Sequence, residues 1–217
     1  MKPVLLYSDD DLLVVDKPAG VAAVPGGWQM DAPSLLELLQ ADFGQVWIVH
    51  RLDKGTSGLI FFARTPEAHR TLSLLFETRA VSKTYHAIVN ASPAWDEHIA
   101  RHPLRADVGH SHRTIVDPRY GKPSETAFRV LERFKNTSLF EAAPHTGRTH
   151  QIRAHLSALG FPILADTLYH APATDLIGRP ALHAYSLSFE FDDKPYSFTA
   201  PYPEDFEQAL NRLRAGL

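Results

Sequence analysis

The chain has 217 residues, a hydrophobic fraction of 44% and a formal net charge of -3 at pH 7, so it is long enough for one large domain or two small ones and apolar enough for a core. No apolar run approaches the roughly 20 residues that cross a bilayer, and the N-terminal run is too short for a secretory signal and meets acids at once. The absence of cysteine excludes disulfides, thiol chemistry and thiolate metal sites, and a cytoplasmic protein is the expectation.

Residues 4–7 and 11–16 read as two short strands, followed by the turn Lys17-Pro18-Ala19-Gly20. Ser34 and Glu37 have capping-box spacing, which predicts a helix through about Asp42 that stops near Gly44. Two apolar runs, Val46-Trp47-Ile48-Val49 and Leu59-Ile60-Phe61-Phe62, then flank His50-Arg51-Leu52-Asp53-Lys54-Gly55-Thr56-Ser57-Gly58. That pattern reads as strand, tight polar turn, strand, with Asp53 beside the core. Thr65-Pro66 supplies an N-cap and first residue for a helix whose apolar face is Leu72, Leu75 and Phe76.

Residues 82–89 read as a strand, with Tyr85 and Ala87 on one face and Thr84, His86 and Ile88 on the other. Residues 91–122, rich in Pro, His and Arg, have little periodicity and read as an irregular insertion. Residues 126–134 and 138–143 look like a hairpin turning at Lys135-Asn136-Thr137. A helix is predicted over residues 148–159, ending at Gly160. A second hairpin is predicted from residues 182–191 and 196–199, and a closing helix from Pro203 to about Arg214. Many short strands joined by short turns favour an α+β fold with a mixed, mostly antiparallel sheet over a doubly wound parallel one.

Charge is uneven along the chain. Residues 1–50 carry two basic and seven acidic side chains, whereas residues 101–153 carry ten basic and five acidic. A locally positive face binds phosphates even on an acidic protein.

Two clusters carry chemistry. Asp53 is either a catalytic carboxylate or a structural one that caps its turn through the Thr56 or Ser57 amides. The second cluster is His145-Thr146-Gly147-Arg148-Thr149-His150-Gln151-Ile152-Arg153-Ala154-His155. A helix start carrying Arg148, Thr149 and Gln151 suits an anion, and an arginine on that helix could instead pair with a buried carboxylate. His150 and His155 lie five apart, a poor chelate on a helix, so no metal is expected. His50-Arg51-Leu52-Asp53 does not fit the kinase catalytic loop, because the acid sits one residue late and the accompanying motifs are absent.

On these residues the chain resembles the RluA-type pseudouridine synthases. Four blocks match in the family's order: Val14-Val15-Asp16-Lys17-Pro18-Ala19-Gly20, His50 to Leu59, Lys83-Thr84-Tyr85-His86-Ala87, and Thr146 to His155 with the later Asp166-Thr167-Leu168-Tyr169. Ala165 stands where the family usually has Gly. The resemblance implies a mixed sheet with a central cleft between two lobes of one catalytic domain over residues 1–217, with no separate N-terminal RNA-binding module.

It implies Asp53 as the catalytic aspartate, Tyr85 against the target base, and Arg153 as the arginine paired with the aspartate. His50, Arg51 and Thr56 of the signature, with Arg148, His150 and Gln151, are the implied substrate-binding residues, Arg51 filling the gap left by a flipped nucleotide. No cofactor and no metal are implied. The expected partner is ribosomal or transfer RNA, no membrane is expected, and a monomer is the expected state.

Overall fold

A computed structural model describes residues 3–26 and 32–216. Met1 and Lys2, which begin the N-terminal run too short for a secretory signal, lie outside them. In chain order the elements are β1 (Val4–Ser8), β2 (Leu12–Lys17), α1 (Leu35–Phe43), β3 (Trp47–Ile48), β4 (Ser57–Ala63), α2 (Pro66–Glu77) and β5 (Ser82–Asn90). They continue with β6 (Glu97–Ala100), β7 (Leu104–Val108), β8 (Arg113–Val116), β9 (Thr126–Arg133) and β10 (Thr137–Pro144). Helix α3 (Gln151–Ala158), a 3-10 turn over Thr167–Tyr169, strands β11 (Leu182–Phe191) and β12 (Lys194–Thr199) and helix α4 (Glu204–Arg214) complete the set. The architecture is α+β with a mostly antiparallel sheet, as the strand-rich sequence pattern predicts.

The chain divides into two compact units: Met1–Lys83 with Ala184–Pro201, and Thr84–His183 with Tyr202–Leu217. In the first, the strands run in the order β1-β2-β4-β11, with β3 on β4 and β12 on β11. β4 is buried at every residue, which is why its apolar run is continuous rather than alternating. Its core joins Leu12, Val14, Leu59, Phe61, Leu72 and Phe189.

The two helices of this unit begin where their caps dictate. The Ser34 hydroxyl accepts the Glu37 N–H at 3.3 Å while the Glu37 carboxylate accepts the Ser34 N–H at 2.8 Å. Gly44 ends α1 at φ 75°, donating to the Gln40 carbonyl. Thr65 accepts the Ala68 N–H at 3.1 Å, with Pro66 opening α2.

In the second unit the order is β5-β10-β9-β6, and β7 pairs with β8. Phe140, Leu156, Ile163, Phe206 and Leu210 form its core, with α4 contributing the last two. The predicted hairpin of residues 126–143 is β9 and β10, antiparallel.

Two expectations are corrected. Residues 91–122 are not irregular: they hold β6, β7 and β8. These strands are only four or five residues long and each buries a single residue, so no buried face imprints a period on them. Leu104 and Lys122 exchange both backbone bonds at 2.9 and 2.8 Å. Helix α3 starts at Gln151, three residues after the predicted Arg148, because His150 takes the left-handed conformation at φ 51°. Arg148 and Thr149 therefore precede the helix instead of opening it.

Candidate active site

In the first unit the signature residues form a loop pinned from below. Leu52 is buried, Asp53 is half-buried, and Arg51 and Lys54 on either side are exposed. The Thr56 N–H donates to the Asp53 carbonyl at 3.0 Å, closing the turn, and Thr56 and Ser57 are buried. Gly58 follows at φ 107°, where a Cβ would lie 2.2 Å from the Ala184 carbonyl oxygen. Only glycine permits that approach.

A second clamp comes from the first sequence block. Lys17 is wholly buried, and its Nζ donates to the carbonyls of Pro18, Val21 and Lys54 at 3.0, 2.9 and 3.4 Å. The Gly20 N–H reaches the same Lys54 carbonyl at 2.7 Å. A lysine in an apolar-flanked strand gives no warning of this. Its signal is the run Lys17-Pro18-Ala19-Gly20, which crowds carbonyls around the ammonium. Lys54, whose side chain remains exposed, thus serves through its backbone.

His50, expected to face RNA, is half-buried and has partners within the unit. Its ring stacks on Phe76 at 4.7 Å, meets the edge of Phe61 at 4.8 Å, and its Nε2 accepts the Phe61 N–H at 3.2 Å. Burial, helped by the charge of Lys83, pushes its pKa down to about 3, so it is neutral. An imidazole between two phenyl rings is an anchor for the loop.

In the second unit Tyr85 is half-buried on β5, opposite Ala142 of β10, and packs against the core. Arg153 on α3 is buried and forks onto Asp166, with Nε and Nη2 at 2.7 and 2.8 Å from the two carboxylate oxygens. An arginine of this helix thus meets a buried carboxylate. The Arg153 guanidinium also lies 5.0 Å from the ring of Tyr169. The Tyr169 hydroxyl donates to the Thr114 carbonyl and accepts the Thr114 N–H, which ties β8 to the same cluster. In the sequence Asp166 and Tyr169 stand out only through the family resemblance. Their spacing from Arg153 follows no local rule, so nothing in the residues around them signals this role.

Gln151, expected to bind substrate, is engaged within the protein. It is buried; its side-chain oxygen accepts the Thr146 hydroxyl at 2.6 Å and the Arg148 N–H at 3.1 Å, and its amide donates to Glu125 and Thr126. Thr56 is likewise buried within its turn. Arg148 is half-buried, one Nη donating to the Pro123 carbonyl at 3.4 Å, and His150 contacts the Tyr169 hydroxyl at 3.3 Å. His155 is wholly buried and bonded to Thr126, Ser124 and the His102 carbonyl. Ala165 adopts φ 60°, a left-handed conformation that favours glycine. Among the described residues no cluster of three His, Asp or Glu side chains is placed to hold a metal.

The α+β fold with its mostly antiparallel sheet is the fold of RNA pseudouridylate synthases of known structure. The profile of RNA pseudouridylate synthases matches residues 11–158. The dual-specificity RNA pseudouridine synthase RluA of Salmonella typhi is 38% identical over 94% of this chain and 94% of its own length. The ribosomal large subunit pseudouridine synthase D of Zymomonas mobilis is 35% identical over 96% of this chain and 72% of its own. Among solved structures, human RNA pseudouridylate synthase domain-containing protein 4 superposes with a TM-score of 0.81 at 25% identity, covering 97% of this chain and 92% of that one. The chain belongs to the RNA pseudouridylate synthase family, in its RluA-type branch, and catalyses the isomerisation of uridine to pseudouridine in RNA.

Proposed function

We propose that this chain modifies uridines of structured ribosomal or transfer RNA in the cytoplasm, with Asp53 as the catalytic carboxylate. The names of the relatives, one dual-specificity and one acting on the large ribosomal subunit, support that substrate range. In this reading both units belong to one catalytic domain, which works as a monomer without metal or cofactor.

The reaction breaks the C1′–N1 bond, turns the uracil, forms C1′–C5 and moves the C5 proton to nitrogen. Atoms and electrons balance without an outside reagent. A carboxylate serves either by attacking C1′ as the sugar becomes oxocarbenium-like or by removing the C2′ proton to give a glycal. A target base in folded RNA must first be unstacked, at about a few kcal/mol, and stacking against Tyr85 offsets part of that cost. Arg51, exposed beside Asp53, fills the space that the base leaves. Arg153 supplies the cation of the site, and Arg148 and His150 contribute RNA contacts.

The observation that carries the reading is the mounting of Asp53. Its carbonyl accepts the Thr56 N–H and the next carbonyl, that of Lys54, accepts from Lys17 and Gly20, so the loop is held while Asp53 itself stays half-exposed, as a reacting group requires. The test is tritium release from 5-³H-uridine RNA. Asp53→Asn is nearly isosteric, so it should keep the native thermal melt and lose about a hundredfold or more in rate. An Asp53→Asn protein that releases tritium at a sizeable fraction of the native rate would sink the assignment.

A further inference from the structure

Tyr120 is 61% exposed, more than any other large apolar side chain among the described residues. It does not sit on a loose loop. The Asp117 carboxylate accepts the N–H groups of Arg119 and Tyr120 at 3.0 and 2.9 Å, and the Asp117 carbonyl accepts the Gly121 N–H at 2.8 Å. The Asp117 N–H donates to the Pro103 carbonyl at 2.9 Å, and its second carboxylate oxygen pairs with Arg105 at 3.1 Å. Gly121 packs so closely that a Cβ would lie 2.4 Å from the Asp117 carbonyl oxygen and 2.6 Å from the Pro103 carbonyl carbon. The turn is thus fixed on both sides, and it holds an aromatic ring out into solvent.

The surroundings of the ring are cationic. The guanidinium carbons of Arg119 and Arg105 lie 5.0 and 5.8 Å from its centroid. Arg119 and the adjacent exposed Lys122 have no carboxylate partner among the described residues. A rigid aromatic ring flanked by two guanidiniums, Arg105 paired with Asp117 and Arg119 without a carboxylate, matches one ligand chemistry: a nucleobase with its phosphates. The base stacks on the ring and the cations take the phosphates. Bases inside a duplex already stack on their neighbours, so the ligand must be an unpaired nucleotide. Because the turn is formed in advance, little ordering cost opposes the stack.

We propose that Tyr120 is a stacking platform for an unpaired RNA nucleobase, with Arg119 and Lys122 holding its phosphates. The proposal rests on the reading of this chain as an RNA enzyme and adds a contact that none of the four sequence blocks contains. Any base has a π-face, so the platform selects for a single-stranded nucleotide, not for a sequence.

The test is fluorescence anisotropy with two labelled RNAs of equal length, a single strand without self-complementarity and a fully paired duplex. Tyr120→Ala should weaken the single strand about fivefold or more and leave the duplex within about twofold. Tyr120→Phe and Tyr120→Trp should bind like the native chain, because the ring and not the hydroxyl is used. An alanine variant that binds the single strand as tightly as the native chain overturns the platform, and so does an equal loss on both RNAs. Native protein that binds neither RNA overturns the platform together with the RNA-facing reading of this segment. Normal single-strand binding by Tyr120→Ala alongside undiminished tritium release overturns the platform alone.

Discussion

The Arg153–Asp166 pair is the point where one residue's chemistry decides the most. Both side chains are nearly removed from water, at 9% and 1% exposure, and the fork uses two nitrogens on two oxygens. Neither charge is tolerable there without the other. Breaking such a pair from one side costs about 3–5 kcal/mol because the remaining ion is stranded, whereas replacing both ions by apolar groups is often neutral. Asp166→Asn should therefore lower the unfolding free energy by about 3 kcal/mol and reduce turnover as Arg153 loses its anchor. The double change Arg153→Met with Asp166→Leu should recover much of the stability and none of the activity. Urea unfolding of the single and double variants reads the coupling directly. A single Asp166→Asn variant within about 0.5 kcal/mol of the native chain would mean that the fork contributes nothing.

At the scale of elements, Gly58 shows how tightly the signature loop is built into its sheet. It is the second residue of β4 and has a positive φ, and a methyl group there would run into the Ala184 backbone of the same unit. Gly58→Ala should cost about 3 kcal/mol or more, since strain and clash act together. Gly20 supplies the control. It also has positive φ, 87°, but a Cβ there meets nothing within 4 Å, so Gly20→Ala should cost only about 1 kcal/mol. Thermal melts of the two variants separate backbone strain from collision, and equal losses would remove the collision.

The same elements show what a sequence reveals. The capping box at Ser34, Thr65-Pro66 before α2 and the turn between β9 and β10 act within a few residues, so local patterns disclose them. The turn that carries Asp53 was legible for a similar reason, since polar residues between two apolar runs mark it. The delayed start of α3 was not, because Gln151 is held by Glu125 and Thr126 from far along the chain. Strands β7 and β8 were hidden because each buries a single residue, which leaves no period to read. The anchor role of His50 was hidden too, since nothing near it in sequence reports that Phe76 will stack on its ring.

Across the whole molecule, buried neutral histidines make stability depend on pH in one direction. Burial lowers His50 to about 3 and His86 to about 4, and lowers His155 as well. In the unfolded chain each returns to about 6.5. A group whose folded pKa is depressed contributes in full above its unfolded value, and that contribution drains away as pH falls towards the folded one. Unfolding free energy should therefore be flat from pH 8 to 7. It should then drop between pH 6.5 and 4, by up to about 1.4 kcal/mol per pH unit for each histidine that takes up a proton only on unfolding. His50→Phe tests the largest of these. It leaves the Phe61 N–H without its acceptor, which costs about 1–3 kcal/mol at every pH, yet it removes one protonation from the unfolded side. The variant should be less stable at pH 7 and have a shallower acid slope than the native chain. Urea titrations at pH 8, 7, 6 and 5 provide the comparison. Parallel slopes for the two proteins would mean that His50 already protonates in the folded state, as a charged imidazolium that both burial and the nearby Lys83 disfavour.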